Sequence, residues 1–314
     1  MSDADHYLLP FQQQLIHQVE TGLAEIEAGG NSVGILLIGP SGSGKTHALD
    51  QIAVRHPPSY VGFQPLSPCC RIAVTSQADA SATAASVLRQ LGKPLPGGLS
   101  RVSLKHLEPD MWAALKTRQV NMLFFEEFHN ALLAGSPQLR GQLARFLKNI
   151  WNQHPVSSSH RWASPDAERG DFRLLILISG TDELLAVFER DEELASRFSC
   201  VIRAEKVGFS TNESFRDFRY VFRSLSERFG VAHLFNPNDN DIAARCLFAC
   251  DSHLRRLEKL LQRAATLSKR RGEMPALELL ADSFDEVGGL SNFTNPFRWP
   301  MDELAAQIRR AQKK

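Results

Sequence analysis

The chain has 314 residues, 43% of them hydrophobic, which suits one large domain or two smaller ones with ample material for a core. Its 36 Lys and Arg stand against 35 Asp and Glu, which excludes a generally basic nucleic-acid coat; any such contact has to come from local clusters or from several subunits together. The start, "MSDADHYLLPFQQQ", lacks a signal-peptide layout and no apolar run is long enough to span a bilayer, so a cytoplasmic protein is expected.

Residues 8–28 are predicted helical and end at Gly29-Gly30. An apolar strand at 33–38 follows, then a glycine-rich turn and a helix to about 54. "RIAVTS" (71–76) is a second strand, and "ASATAASVLRQLG" (80–92) a helix punctuated by Gly92. "KPLPGGLS" reads as a loop, 103–118 as a helix, and 121–125 as a strand running into two glutamates. "SPQLRGQLARFLKNIWNQ" (136–153) is an amphipathic helix with Ser136 as N-cap and Pro137 at its first position. A polar loop at 154–171 leads to the buried strand and turn of "FRLLILISGTDEL" (172–184), a short helix in "DEELASRF" and a last strand, "CVIRAE". This alternation predicts an α/β fold with a parallel sheet covered by helices on both faces. After about 208 the strands stop and successive helices form a small lid subdomain. The predicted organisation is an N-terminal helical segment at 1–30, an α/β core at 31–207, a helical lid at 208–290 and a C-terminal tail at 291–314. In the tail, Phe297 and Trp299 precede a short basic helix; they either anchor a partner or tuck back on the lid. The five cysteines lack C-x-x-C spacing and read as small buried side chains.

The glycine-rich turn carries the chemistry. Gly39, Pro40, Ser41, Gly42, Ser43, Gly44, Lys45 and Thr46 fit G-x-x-x-x-G-K-[ST] without mismatch, between a strand and a helix. Glycines let backbone N–H groups close around phosphates, and the helix starting near Lys45 points its positive end at them. Lys45 is placed for the β- and γ-phosphates and Thr46 for Mg²⁺. The acids after the strand, Glu126 and Glu127, stand where phosphate-loop enzymes keep one acid for Mg²⁺ and the next as general base. Asp is usual in the first place. Glu126 carries one more methylene and must fold back, so binding of ATP is expected to survive and hydrolysis to be slow. Thr181, with Ser179 as a substitute, is a candidate to hold the attacking water or γ-phosphate. Arg197 is a candidate finger acting on a neighbouring subunit, and Arg256 a candidate γ-phosphate contact from the lid.

Phosphate loop, acidic strand end, "GT" turn, "SRF" box and helical lid together resemble an AAA+ ATPase. "FFEEFHNALLAGS", the following "LKNIWN" helix and "LISGTDEL" resemble the TniB/TnsC transposition regulators, over roughly residues 8–270. The departure is Glu126, where that family normally carries Asp. The resemblance implies an ATP- and Mg²⁺-dependent matchmaker. Such proteins assemble as rings or filaments on double-stranded DNA, recruit a transposase and take their position from a TniQ-type target-selection protein. It also implies DNA contacts between the second strand and the glutamate strand, where Arg101, Lys105, Lys116 and Arg118 lie. His129 and Asn130 either couple Glu127 to a neighbour or to DNA, or cap the loop. The rival readings are a helicase loader or remodelling motor, a nucleotide-gated scaffold that never hydrolyses, and a metabolite kinase.

Overall fold

In the computed structural model, residues 7–76, 78–95, 103–152, 172–272, 274–287 and 294–313 are described. The predicted loop at 154–171 lies outside them, as do Arg101 and most of "KPLPGGLS". The chain divides into two compact units. The larger comprises Phe11–Pro40 and Lys45–Ala204; the other takes its residues from Met1–Pro10, Ser41–Gly44 and Glu205–Lys314.

The larger unit follows α1 (Pro10–Glu27), β1 (Val33–Ile38), α2 (Lys45–Arg55), β2 (Ser59–Val61), β3 (Gln64–Leu66), β4 (Cys69–Ala73), α3 (Ala80–Gln90) and α4 (Leu104–Thr117). It continues through β5 (Met122–Glu126), α5 (His129–Ala134), α6 (Pro137–Asn152), β6 (Leu175–Gly180), α7 (Asp182–Glu189), α8 (Glu192–Arg197) and β7 (Cys200–Arg203). Five strands form one sheet in the order β4-β5-β6-β1-β7, and every neighbouring pair is parallel. Parallel strands need crossovers, and helices on both faces bury both sides of each strand, which is why "LLI", "LFF" and "LILI" run without alternation.

On one face Leu36, Ile72, Phe125 and Ile178 pack in a single cluster with side chains of α3, α4, α6 and α7, such as Leu88, Met111, Phe146 and Phe188. On the other face α1 comes so close that a Cβ on Gly22 would sit 3.0 Å from Val33 and 3.1 Å from Leu175. Arg71, Phe124 and Glu126 share this second face by the two-residue alternation of strands.

Four elements of this unit were not predicted. β2 and β3 pair antiparallel around Gly62, whose φ of 60° suits the turn. The prolines around them read as loop, and only the tip chemistry of Gly62-Phe63 signals a hairpin. Its base is tied down: Gln64 donates to the Thr117 carbonyl, Arg118 Nη1 to Pro65 O at 3.2 Å and Ser67 N to Arg118 O at 2.8 Å. α5 and α7 are short helices directly after strand ends, where apolar content alone extends the strand. Thr181 is the N-cap that ends the β6 run and starts α7. β4 begins and ends earlier than "RIAVTS" suggests, because a turn bonded from Ala78 N to Thr75 O intervenes.

The second unit contains α9 (Asn212–Arg228), α10 (Asn240–Cys250), α11 (Leu254–Arg271), α12 (Ala276–Val287), a 3₁₀ turn at Pro296–Arg298 and α13 (Met301–Ala311). Thr211 caps α9 by accepting from Ser214 N at 3.0 Å. Phe218, Phe222 and Phe235 stack through the interior. Tyr7 stacks on Tyr220 and donates to Asp217 at 2.7 Å, fixing the segment before α1 to this bundle. The tail aromatics tuck back rather than project: Phe297 is 4% exposed against Phe284, and Trp299 meets Phe248 edge to face. Cys246 and Cys250 are buried, and burial pushes the Cys250 thiol up to about 12. No helix among the described residues is long and apolar enough to cross a membrane.

Candidate nucleotide-binding site

The loop leaves the sheet under tight constraint. Gly39 N donates to Gly180 O at 3.1 Å, and a Cβ on Gly39 would lie 2.3 Å from Ala204 O, so no side chain fits there. Gly42 and Gly44 have φ of 80° and 97°, in the left-handed region that favours glycine. Lys45 opens α2 and is 5% exposed. Its Nζ donates to Gly39 O at 2.7 Å and Pro40 O at 2.9 Å, which folds the ammonium back over the loop. Burial lowers its pKa, opposed by the charges of Glu127 and Asp182. A buried ammonium that donates to main-chain carbonyls is suited to exchange them for an anion. Thr46, next in the first turn of α2, is exposed.

The loop tip belongs to the second unit, with the start of α11. Asp251 and Ser252 are both left-handed, with φ of 49° and 59°. They seat His253 so close that a Cβ on Gly42 would be 2.8 Å from its Cδ2, while Leu254 N donates to Gly42 O at 3.2 Å. Sequence reasoning missed His253; the Asp-Ser pair before a helix was its only trace. Arg256, in the first turn of α11, has Nη1 3.6 Å from the Asp251 carboxylate.

The two strand-end acids have different surroundings. Glu127 is half exposed and left-handed, with φ of 54°. Its N–H points to Ser179 Oγ at 3.3 Å and Phe128 N donates to Ser179 O at 2.9 Å, so the acid is set by the neighbouring strand β6. His129 Nε2 lies 3.7 Å from its carboxylate. Glu126 is 14% exposed and engaged: Oε1 accepts from Arg71 Nε at 3.0 Å and Nη2 at 2.8 Å, and Arg71 Nη1 donates to Asp50 at 2.6 Å. Burial works against the Arg71 charge, but the hydrogen bonds to Asp50 and Glu126 outweigh it and raise the pKa. Arg71 was not singled out from the sequence.

Thr181 makes no cap hydrogen bond as the N-cap of α7. Arg197 lies down within its own chain, with Nη1 donating to Lys148 O at 3.4 Å and Nη2 paired to Glu193. Among the expected DNA contacts, Lys105 and Lys116 are exposed on α4, with Lys116 6.0 Å from the Phe172 ring, whereas Arg118 is occupied at the hairpin base. Among the described residues, no three or more His, Cys, Asp or Glu are grouped to hold a metal.

Residues 9–158 match the family model of the bacterial TniB protein. The matched span is just under half of the chain, and over it the chain is similar to that family. The matched segment holds the phosphate loop, Arg71 and both glutamates; Thr181, Arg197 and Arg256 lie beyond it. No curated protein matches the chain. Solved structures share its fold at low identity. The ORC2 protein of Aeropyrum pernix, solved as ADPNP-ADP complexes, superposes with a TM-score of 0.63 at 14% identity, covering 96% of this chain and 73% of that one. Cdc6p of Pyrobaculum aerophilum gives 0.60 at 18%, covering 92% and 71%. The ORC1 protein of Aeropyrum pernix, solved in complex with DNA, gives 0.57 at 18%, covering 89% and 66%. The chain thus shares the fold of these structures, with a parallel five-stranded sheet in its larger unit and helices in the other.

Proposed function

We propose that this chain is an ATP-dependent, DNA-binding AAA+ regulator of transposition. In this reading it assembles on double-stranded DNA in the cytoplasm and links a TniQ-type target-selection protein to the transposase. The observation that carries it is a TniB match over a segment whose phosphate loop buries Lys45 beside left-handed Gly42 and Gly44. Neighbours of the same fold, solved with ADPNP and ADP and with DNA, support the ligand classes. ATP fits the loop: the phosphates take the ammonium of Lys45 from the carbonyls it now faces, and Arg256 is a candidate contact for the γ-phosphate. The exposed Thr46 hydroxyl is an oxygen donor that suits Mg²⁺, which keeps several waters and leans on substrate phosphates rather than on a full protein cage. Glu127, fixed through Ser179, is the general base toward water. Thr181 senses the γ-phosphate, and Arg197 supplies charge to a neighbouring subunit after leaving Glu193.

The test is phosphate release with and without duplex DNA, combined with electron microscopy of the assemblies and capture of transposase. Slow release, stimulated by DNA or transposase, with ATP-dependent rings or filaments is expected. Fast turnover without ordered assembly would favour a loader or remodelling motor. Assembly with no release at all would favour a scaffold gated by binding alone.

A further inference from the structure

The sequence puts a glutamate where a metal-orienting aspartate is usual, and the structure supplies a reason. Arg71 lies opposite Phe124 and Ala73 opposite Glu126 in the β4–β5 register. Arg71 and Glu126 therefore meet across the diagonal of one sheet face, a longer reach than a directly opposed pair. An aspartate at 126 would be one methylene short of this contact. The guanidinium spends Nε and Nη2 on the single oxygen Oε1 and turns Nη1 to Asp50 on α2. The group is mostly buried on the Arg71 and Glu126 side, at 20% and 14% exposure, and open at Asp50. A carboxylate neutralised this closely by a cation is a poor attractor for a second, divalent one.

We propose that Glu126 is the internal counter-ion of Arg71 rather than a metal ligand. Arg71 is then a positioning residue that commits the strand-end carboxylate to β4 and α2, leaving Thr46 and the nucleotide phosphates to hold the metal. This rests on the reading of the loop as a nucleotide site. It changes what the two glutamates do: only Glu127 serves the reaction, and Glu126 locks the strand that presents it. The residue that looks like a weakened ligand is a strut matched to an arginine two positions away on the next strand.

The experiment measures the affinity of a fluorescent ATP analogue with Mg²⁺ and with EDTA, and the melting temperature, for wild type, Glu126→Gln, Arg71→Met and the double variant. The ratio of the two affinities in Glu126→Gln is expected within about twofold of wild type, where loss of a metal-orienting group costs about 10–100-fold. Each single variant is expected to melt lower, and the double variant to lose less than the sum, as coupled neighbours do. A tenfold or larger loss of the Mg²⁺ effect in Glu126→Gln would overturn the proposal, and so would strictly additive melting shifts. If no variant, nor the wild type, binds the analogue, the functional reading fails on its own, and the melting cycle still decides whether the pair exists.

Discussion

Lys45 shows how one side chain ties fold to function. Its ammonium is buried against two carbonyls, so Lys45→Ala removes the charge meant for phosphate without opening the sheet. Nucleotide binding in a fluorescence titration should fall by more than about 100-fold, on the scale of a lost charge-assisted contact in a buried site, while the melting temperature moves little. The pH dependence follows from its lowered pKa. Between the folded value and the ordinary lysine value the unfolded chain binds more protons. The apo protein therefore gains stability from this group as pH rises through that window, while affinity for nucleotide declines over the same window. Calorimetry and titration across alkaline pH check both signs. Under the proposed function, Glu127→Gln should keep nucleotide and DNA binding but abolish release of phosphate and trap the assembled state, since only the proposed base is lost. A Glu126 that is only a lengthened metal ligand would let Glu126→Asp hydrolyse at least as fast as wild type. With Arg71 in view it should instead melt lower, by about 1.5–3 kcal/mol for a weakened charged hydrogen bond, measured by denaturant titration.

Among the elements, β1, β5 and β6 were plain in the sequence because a parallel strand buried on both faces leaves a continuous apolar run. The phosphate loop was plain because its glycines, Lys45 and Thr46 sit at fixed spacing between a strand and a helix. The β2–β3 hairpin was not, since its prolines and exposed tip residues Tyr60 and Phe63 carry no periodicity that a core imposes. Arg71 was hidden for another reason: its role exists only across a strand pair, and pairing diagonals cannot be read from one strand alone. His253 became visible only through a left-handed turn that two non-glycine residues adopt. In the proposed function, short α8 carries the finger candidate, Arg197. The side chain is held by Glu193 and the Lys148 carbonyl, so acting on a neighbour requires it to swing out. Mixing Arg197→Ala subunits with Lys45→Ala subunits should restore part of the hydrolysis that each lacks alone. No recovery in assemblies shown to be mixed would confine Arg197 to its own chain.

For the whole molecule, the second unit is finished by its tail. Arg245 is 3% exposed; its Nε pairs with Asp241, and Nη1 donates to Pro296 O at 2.7 Å and Trp299 O at 2.8 Å. Deleting residues 295–314 removes both acceptors and the buried Phe297. The expected loss is on the order of 3–6 kcal/mol, from charged hydrogen bonds and one aromatic side chain. Differential scanning calorimetry of the truncated monomer measures it. A truncated protein that melts like the full chain but fails to assemble would make the tail a docking device instead. The form of the Arg245 contact has its own consequence for how such chains drift over generations. Main-chain carbonyls are supplied by every residue type, so substitutions at 296 and 299 leave the acceptors in place. The tail can therefore change much of its wording while the cation at 245 keeps reading the same two oxygens.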